Sequence, residues 1–354
     1  MHDTDALVIG AGPVGLFQVF QLGLLGLKVH VVDALPMPGG QCAALYPQKP
    51  IYDVPGVPVC TGEELAASLL QQIRPFSGPQ HSHLHLGDLV ESIRPLNAPL
   101  SGFEVSTQNG QTFRTQLIVV AAGAGAFVPK SMNIPGLDAP GHVHFHLPAP
   151  DALAPWAGQH LVVAGGGEEA LETVAHLLQS TPEAQQPARI SLMHRRDQFA
   201  VEPDLENTVR QWITSGRIGW IQGMPDHAEV EQGRLVALHV LGPDGTVRRE
   251  PLDHLMIRQG LSPKLGPLTQ WGLPLERKQI PVDMSTCQTA TPGIYAVGDI
   301  NTYPGKKRLL VCGFHEATMA AHAALAWLKP DEPQHLQYTT TSTVLKQRLG
   351  ADLQ

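Results

Sequence analysis

Two glycine-rich loops constrain the fold of this 354-residue chain more than any other feature. The first reads Gly10-Ala-Gly12-Pro13-Val-Gly15 and stands between the apolar run 6–9 and a helical apolar pattern. A second apolar strand follows and ends at Asp33. Strand, glycine loop, helix and strand in this order are typical of a βαβ unit that binds a dinucleotide.

The residue types of this first unit indicate how it would hold a dinucleotide. Gly10 permits a tight turn, Gly12 lets a pyrophosphate approach the backbone, and Gly15 lets the helix pack closely on the strand. The helix that follows offers its free N–H groups and its dipole to the phosphates. Asp33 would accept hydrogen bonds from the adenosine ribose. We therefore predict FAD contacts at Gly10, Gly12, Pro13, Gly15 and Asp33, the alternative being a simple turn into a helix.

The same pattern recurs about 155 residues later, counted between the first glycines of the two loops. The loop Gly165-Gly-Gly167-Glu-Glu-Ala170 follows a strand-like run and opens a helical pattern, and the next strand ends in His194-Arg195-Arg196. Two guanidinium groups suit a 2′-phosphate, which a carboxylate would repel. The alternative is a solvated basic turn. The second unit thus predicts NADP(H), with contacts at Gly165, Gly167, Ala170, His194, Arg195 and Arg196.

Apolar strands at 116–123 and 293–299 frame the second unit and indicate that one domain is interrupted by the other. Strands of this kind close a dinucleotide domain whose sequence contains an insert. We therefore predict an α/β fold with two Rossmann-like domains, the second inserted in the first. The FAD-binding domain would span 1–123 and 253–354, and the NADPH-binding domain 124–252.

Composition excludes several other classes of protein. A net charge of −8 argues against nucleic acid as the main partner, because binding phosphates requires a basic surface. The four cysteines have neither disulfide-framework nor zinc spacing, and no run approaches 18 apolar residues, so we expect a reduced, cytoplasmic protein without a membrane span. Histidines alternate at 81–85 and 142–146, but no carboxylate or cysteine pattern accompanies them, and we predict no metal site.

The segment Gly39–Gly56 carries a more specific signal than either loop. It reads GGQCAALYPQKPIYDVPG and resembles the flavin-facing segment of the thioredoxin-reductase-like ferredoxin/flavodoxin:NADP reductases. The runs 123–127, 194–197 and 298–306 are similar to that family as well. The resemblance extends from end to end of the chain.

This resemblance implies a reaction and a set of flavin contacts. NADPH would pass a hydride to FAD, and reduced FAD would release single electrons to ferredoxin or flavodoxin, so that no side chain acts as a catalyst. A homodimer is also expected. Gln41 would contact the flavin region, Tyr46 would stack on the isoalloxazine ring, and Asp299 would bind the ribityl chain. The full set of implied contacts is Gly40, Gln41, Tyr46, Val90 at the adenine end, Phe127, Asp299 and Thr340.

The chain also departs from its relatives, and two alternative functions stay open. Thioredoxin reductases carry a C-x-x-C in the NADPH domain, whereas this chain has no cysteine between Cys60 and Cys287. Ala200 stands where related proteins often have another Arg. One alternative is a flavin-dependent reductase of low-molecular-weight disulfides that uses Cys42 or Cys60. The other is a non-enzymatic, NADPH-binding redox sensor.

One basic run has two possible meanings. The sequence Gly305-Lys306-Lys307-Arg308 lies beside the predicted flavin segment. It is either a solvated loop or a contact for an acidic redox protein.

Overall fold

The computed structural model describes residues 1–76, 82–96, 101–137, 139–145, 147, 156–333 and 335–350, with the backbone alone at 82, 83, 127, 128 and 183. The chain divides into two compact units, Met1–Ala126 with Pro263–Gln354 (unit 1) and Phe127–Ser262 (unit 2). The helices are α1 (Pro13–Leu24), α2 (Gly40–Leu45), α3 (Gly62–Ile73), α4 (Glu168–Gln179), α5 (Pro203–Thr214), α6 (Leu310–Leu328) and α7 (Thr343–Arg348).

The strands, in chain order, are β1 (His2–Ile9), β2 (Val29–Asp33), β3 (Pro50–Ile51), β4 (Cys60–Thr61), β5 (Ser82–Leu86), β6 (Val90–Pro95), β7 (Phe103–Thr107), β8 (Thr112–Val120), β9 (Ala126–Pro129), β10 (Val143–His144), β11 (His160–Ala164), β12 (Arg189–His194), β13 (Gly219–Gln222), β14 (Met224–Glu231), β15 (Arg234–Leu241), β16 (Val247–Pro251), β17 (His254–Ile257), β18 (Leu261–Lys264), β19 (Ile280–Pro281), β20 (Ile294–Ala296) and β21 (Asn301–Thr302). In the part of the chain that the structure describes, no helix is both long enough and apolar enough to cross a membrane.

Unit 1 is built on a parallel sheet in the order β5-β2-β1-β8-β20, to which β7 and β6 add antiparallel strands beside the first half of β8. The central strands read as continuous apolar runs because both faces of the sheet are covered. One face packs against α1, α3 and α6, and the other carries a second apolar cluster. The pairing of β20 with β8 confirms that the two segments framing the insert meet in one sheet.

Unit 2 contains a parallel sheet in the order β10-β17-β11-β12-β13 and a separate antiparallel sheet, β14-β15-β16. The two βαβ units predicted from the glycine loops are confirmed, one in each unit, and the α/β fold class with them. The boundary at residue 253 is wrong. Residues 254–257 form β17, which pairs with β11 in the centre of the unit 2 sheet, so the insert continues to Ser262.

A group of aromatic side chains in unit 2 contains a buried histidine. His254 is 7% exposed, and its Nδ1 lies 3.1 Å from Nε2 of His144. The ring of His142 stacks on it with centroids 5.3 Å apart, and Trp156 lies 5.6 Å away. Asp253 and Arg234 complete the charged surroundings. Burial, reinforced by His144 and His142, lowers the pKa of His254 to about 4.

We expect this group to destabilise the protein in acid. A histidine in the unfolded chain titrates near 6.5, so between pH 6.5 and 4 the unfolded state binds more protons than the folded state. The free energy of unfolding should therefore fall as the pH drops through this window, by on the order of 3 kcal/mol in full. Urea unfolding at several pH values measures the slope. His254→Asn should flatten it and His176→Gln, at an exposed site on α4, should not; equal slopes in all three proteins would contradict the prediction.

Candidate functional site

At two positions of the first glycine loop, the backbone leaves room for glycine alone. Gly10 has a φ of +113°, and a Cβ there would lie 2.4 Å from the carbonyl oxygen of Ala121. A Cβ at Gly15 would lie 1.9 Å from the carbonyl oxygen of Gly10. The tight turn and the close contact of helix with strand, both expected from the sequence, are therefore present.

The loop leads into a helix whose N-cap residue is a glycine, which has no side chain to cap it. Gly12 is the N-cap of α1, and Pro13 is the first helical residue. Gly40, at the start of α2, approaches so closely that a Cβ there would lie 2.8 Å from Cα of Gly12. The loop thus offers N–H groups, a helix dipole and a surface free of side chains, which is what a pyrophosphate requires.

Asp33 lies beside this loop with its carboxylate held by the backbone. Oδ2 accepts a hydrogen bond from the N–H of Ala11 at 2.5 Å, and Oδ1 accepts one from the N–H of Leu35 at 2.7 Å. Burial raises the pKa of Asp33, and these two hydrogen bonds oppose the rise. An acceptor fixed at the edge of the loop fits the ribose of an adenosine nucleotide. The cradle, the uncapped helix and this acid together fit FAD.

The segment predicted to face the flavin converges on the same part of unit 1. The side chain of Gln41 lies beside Gly123, whose Cβ would be 3.2 Å from Nε2 of the glutamine. The hydroxyl of Tyr46 lies 3.6 Å from Sγ of Cys42. The pKa values of both Tyr46 and Cys42 are raised, mainly by burial and in part by the nearby charge of Asp299. The structure thus brings Tyr46 and Asp299 into one neighbourhood.

The structure gives less information on three other predicted flavin contacts. Val90 is buried in the apolar cluster that contains Ile9 and Val32, the strand residues next to the loop and the acid. The side chain of Phe127 lies outside the described residues. Thr340 is exposed, and α7, which follows it, packs at the C-terminal end of α1, where Arg348 donates to the carbonyl of Leu24. Its contact with flavin stays a prediction.

The cysteines named in the disulfide-reductase alternative lack an activated thiol. Cys42 and Cys60 are both buried free thiols. Burial raises the pKa of each, and Glu64 raises that of Cys60 further. Because the thiolate is the form that attacks a disulfide, a raised pKa makes these residues poor nucleophiles near neutral pH. The burial and raised pKa of both thiols therefore give no support to thiol chemistry at this site.

The basic run 305–308 has a role that sequence reasoning missed. Nζ of Lys306 lies 2.5 Å from Oε1 of Glu316 on α6, and these side chains are only 6% and 2% exposed. Lys306 also donates to the carbonyl of Gly298 at 2.9 Å. The N–H of Gly298 donates to Oε2 of Glu316 at 2.8 Å, and Tyr303 donates to Oε1 at 2.7 Å. Lys306 is therefore neither a solvated residue nor a partner contact, because it anchors the turn that carries Asp299.

A signal for this ion pair was present in the sequence. Glu316 is the one acid in an otherwise largely apolar helix, Leu310–Leu328. A buried carboxylate requires a cationic partner, so the sequence indicates that one of the basic residues before the helix pairs with Glu316, and the fold selects Lys306.

The second glycine loop also excludes a side chain at its first glycine, although without the positive φ of Gly10. A Cβ at Gly165 would lie 2.1 Å from the carbonyl oxygen of Arg258 and 2.8 Å from Cβ of Ala170. A Cβ at Gly166 would lie 2.5 Å from the ring of His194, so that this ring rests on the loop. Gly167 is the N-cap of α4, so that here too the N-cap residue has no side chain to cap the helix.

The two arginines that follow His194 are exposed beside this loop. Among the residues that the structure describes, neither Arg195 nor Arg196 has an ion-pair partner, whereas Asp197 accepts a hydrogen bond from Arg210 at 2.9 Å. The N–H of Ala200 donates to the carbonyl of Gly166 at 2.9 Å, which brings the segment back to the loop. Burial lowers the pKa of His194, and the charges of the two arginines lower it further. Two unpaired guanidinium groups are thus available to an anion.

Comparison with known proteins places this arrangement in a family. The family model described as pyridine nucleotide-disulphide oxidoreductase matches residues 4–326. A ferredoxin–NADP reductase of Paracidovorax citrulli is 49% identical, over 98% of this chain and 96% of that protein. A ferredoxin–NADP reductase of Leptothrix cholodnii is 47% identical, over 98% of this chain and 91% of that protein.

Solved structures show the same fold at low identity. A bacillithiol disulfide reductase of Staphylococcus aureus has a TM-score of 0.60 at 13% identity, covering 92% of this chain and 99% of that one. A thioredoxin reductase of T. acidophilum has a TM-score of 0.55 at 19% identity, covering 94% and 100%.

The fold, the two loops and the family match define an oxidoreductase of the pyridine nucleotide-disulphide class. Within that class, the chain belongs to the family of the ferredoxin–NADP reductases. The resemblance inferred from Gly39–Gly56 is confirmed.

Proposed function

We propose that this protein is a FAD-dependent ferredoxin/flavodoxin:NADP⁺ oxidoreductase. The observation that carries the proposal is the contrast between its two loops. In the first unit the second strand ends in the acid Asp33, and in the second unit the second strand is followed by Arg195 and Arg196. An acid there suits the ribose of FAD, and two arginines suit the 2′-phosphate of NADPH. FAD belongs to unit 1 and NADP(H) to unit 2.

The residues of this chain bind and orient the cofactors, and none of these residues needs to react. When bound, FAD supplies the exchange between a two-electron hydride and single electrons. Gly12, Gly40 and the N-terminus of α1 hold its pyrophosphate, and Asp33 holds its adenosine ribose. Tyr46 and Asp299 lie where the flavin end is expected. This division of labour agrees with the raised pKa of each thiol near the site.

The electron partner follows from the family. Relatives named ferredoxin–NADP reductase share about half of this sequence, and we propose ferredoxin or flavodoxin as the partner of this chain. Such a partner is acidic, and the exposed side chains of Lys307 and Arg308 supply local positive charge on a protein of net charge −8. We further propose a homodimer in the cytoplasm, for which the molar mass in solution is the direct measurement.

The decisive experiment combines cofactor content with coupled turnover. The purified protein should be yellow and release FAD on denaturation. It should reduce cytochrome c with NADPH only when a ferredoxin or flavodoxin from the same organism is added. A colourless protein that cannot be reconstituted with FAD would contradict the proposal. A yellow protein that is slow with every one-electron acceptor would favour the redox-sensor alternative.

A cysteine-free variant separates this reaction from disulfide reduction. With all four cysteines replaced by Ser or Ala, we expect ferredoxin reduction within a few-fold of the parent, because no thiol lies on the electron path. The rate is compared per bound FAD, since changes at buried sites lower stability. A fully flavinated variant that loses activity by orders of magnitude would move the assignment to the disulfide reductases.

A further inference from the structure

Arg258 lies at the inner edge of the second glycine loop. It follows β17, and its carbonyl oxygen is the atom that excludes a side chain at Gly165. From there the guanidinium extends to α4, where Nη1 lies 2.9 Å from Oε1 of Glu169 and Nε donates to Oγ1 of Thr173 at 3.0 Å. Nη1 also donates to the carbonyl of Phe145 at 2.9 Å. Only 17% of the Arg258 side chain is exposed, so its position is fixed.

The start of α4 carries several negative charges. Glu168 and Glu169 occupy its first turn, and Glu172 lies within one turn of both. The pKa of Glu172 is raised by burial and by the charges of Glu168 and Glu169, and Arg258 lowers it. Carboxylates at a helix N-terminus interact with the same N–H groups and dipole that would hold a pyrophosphate. They would also repel the pyrophosphate directly.

We infer that Arg258 makes this loop receptive to the pyrophosphate of the dinucleotide by neutralising Glu169. The inference rests on the proposed function, since it requires a dinucleotide in this loop. Arg258 is a positioning residue that acts through Glu169, and no other described basic residue pairs with a glutamate of the first turn of α4. The pyrophosphate is common to NADPH and NADH, so Arg258 supports the binding of both. Arg195 and Arg196, in contrast, discriminate between them.

The test is the dissociation constant of NADP⁺ and of NAD⁺, measured by calorimetry on the FAD-loaded protein. Arg258→Gln should raise both constants by about tenfold or more, because Glu169 is left without its partner. Arg258→Lys keeps the charge and should stay within a few-fold of the parent. Adding Glu169→Gln to Arg258→Gln should restore the affinity, which a merely structural role of Arg258 would not explain. Arg217→Gln is the matched control, since Arg217 binds the carbonyl of Leu178 at the other end of α4.

Several outcomes would overturn the inference. They are unchanged constants in Arg258→Gln, a loss confined to NADP⁺, or a double variant as weak as the single one. If Arg258→Gln does not fold, the single variant Glu169→Gln tests the inference instead. Its affinity for both dinucleotides should equal or exceed that of the parent, and a weaker affinity would overturn the inference. A parent that binds neither dinucleotide contradicts the proposed function itself. A parent that binds them, with Arg258→Gln equally tight, contradicts only the role of Arg258.

Discussion

Replacing Glu316 with Gln is expected to destabilise the protein by about 3–5 kcal/mol, because it leaves the buried Lys306 ammonium without its counter-charge. Glutamate and glutamine side chains have nearly the same shape, so the loss of stability reports the change in charge and hydrogen bonding. All four partners of the carboxylate are donors, namely Lys306, Tyr303, the side chain of Asn301 and the N–H of Gly298. A glutamine amide must turn its NH₂ group toward two of them. The turn that carries Asp299 loses its anchor, and we expect FAD to be held more weakly as well.

Urea unfolding and the FAD content of the purified variant measure this effect. The matched control is Glu332→Gln, which removes one member of the exposed pair with Lys329 and should change the free energy of unfolding by less than about 1 kcal/mol. The pair Lys306→Met with Glu316→Leu removes both buried charges but leaves the N–H of Gly298 and the hydroxyl of Tyr303 without their acceptor, so it should recover only part of the loss. If Glu316→Gln lowers the free energy of unfolding by less than about 1 kcal/mol, the ion pair contributes little to the stability of the folded state.

Local patterns predicted the parts of this protein that depend on neighbouring residues. Glycine spacing determines the turn from strand to helix, and apolar periodicity determines the elements on either side of it, so both βαβ units could be predicted from short stretches of sequence. Asp33 and Arg195 were found in the same way, because each directly follows or ends the second strand of its unit.

Contacts between distant residues could not be predicted in this way. The sequence did not indicate that β17 belongs to unit 2, because its four residues join that sheet only by pairing with β11, which lies far back in the sequence. Arg258 carries no motif of its own, and its importance depends on Glu169, with which only the folded chain brings it together. Lys306 was misinterpreted because a lysine beside other basic residues is usually solvated, and burial is a property of the tertiary fold.

The two glycine loops share several features of their surroundings. In both, glycines exclude side chains from the turn, and a helix begins without a side-chain cap. The difference lies in the charges around the loop. The first has a single acid held by the N–H groups of Ala11 and Leu35. The second has glutamates on its helix, one arginine paired with Glu169 and two arginines that are unpaired among the described residues.

Those unpaired arginines lead to the prediction with the largest expected effect on cofactor choice. Arg195→Ala combined with Arg196→Ala should raise the KM for NADPH while leaving the KM for NADH nearly unchanged. Each charge-assisted contact with the 2′-phosphate contributes roughly 1.5–3 kcal/mol, which corresponds to about ten- to a hundredfold in binding. The double variant should therefore lose most of its preference for NADPH.

Steady-state kinetics with each nucleotide, using a soluble one-electron acceptor, tests this prediction directly. Arg189→Ala is the matched control, because Arg189 is an exposed arginine at the other end of the same strand, β12, about 17 Å from His194 at the usual rise per residue. It removes one positive charge from the same unit, against two in the double variant, and should leave both KM values unchanged. Raising the ionic strength should weaken NADPH binding more in the parent than in the double variant, since only the parent retains the phosphate–guanidinium attraction. If the double substitution raised both KM values equally, the arginines would not recognise the 2′-phosphate, and Ala200 would mark a real departure from NADP specificity in this chain.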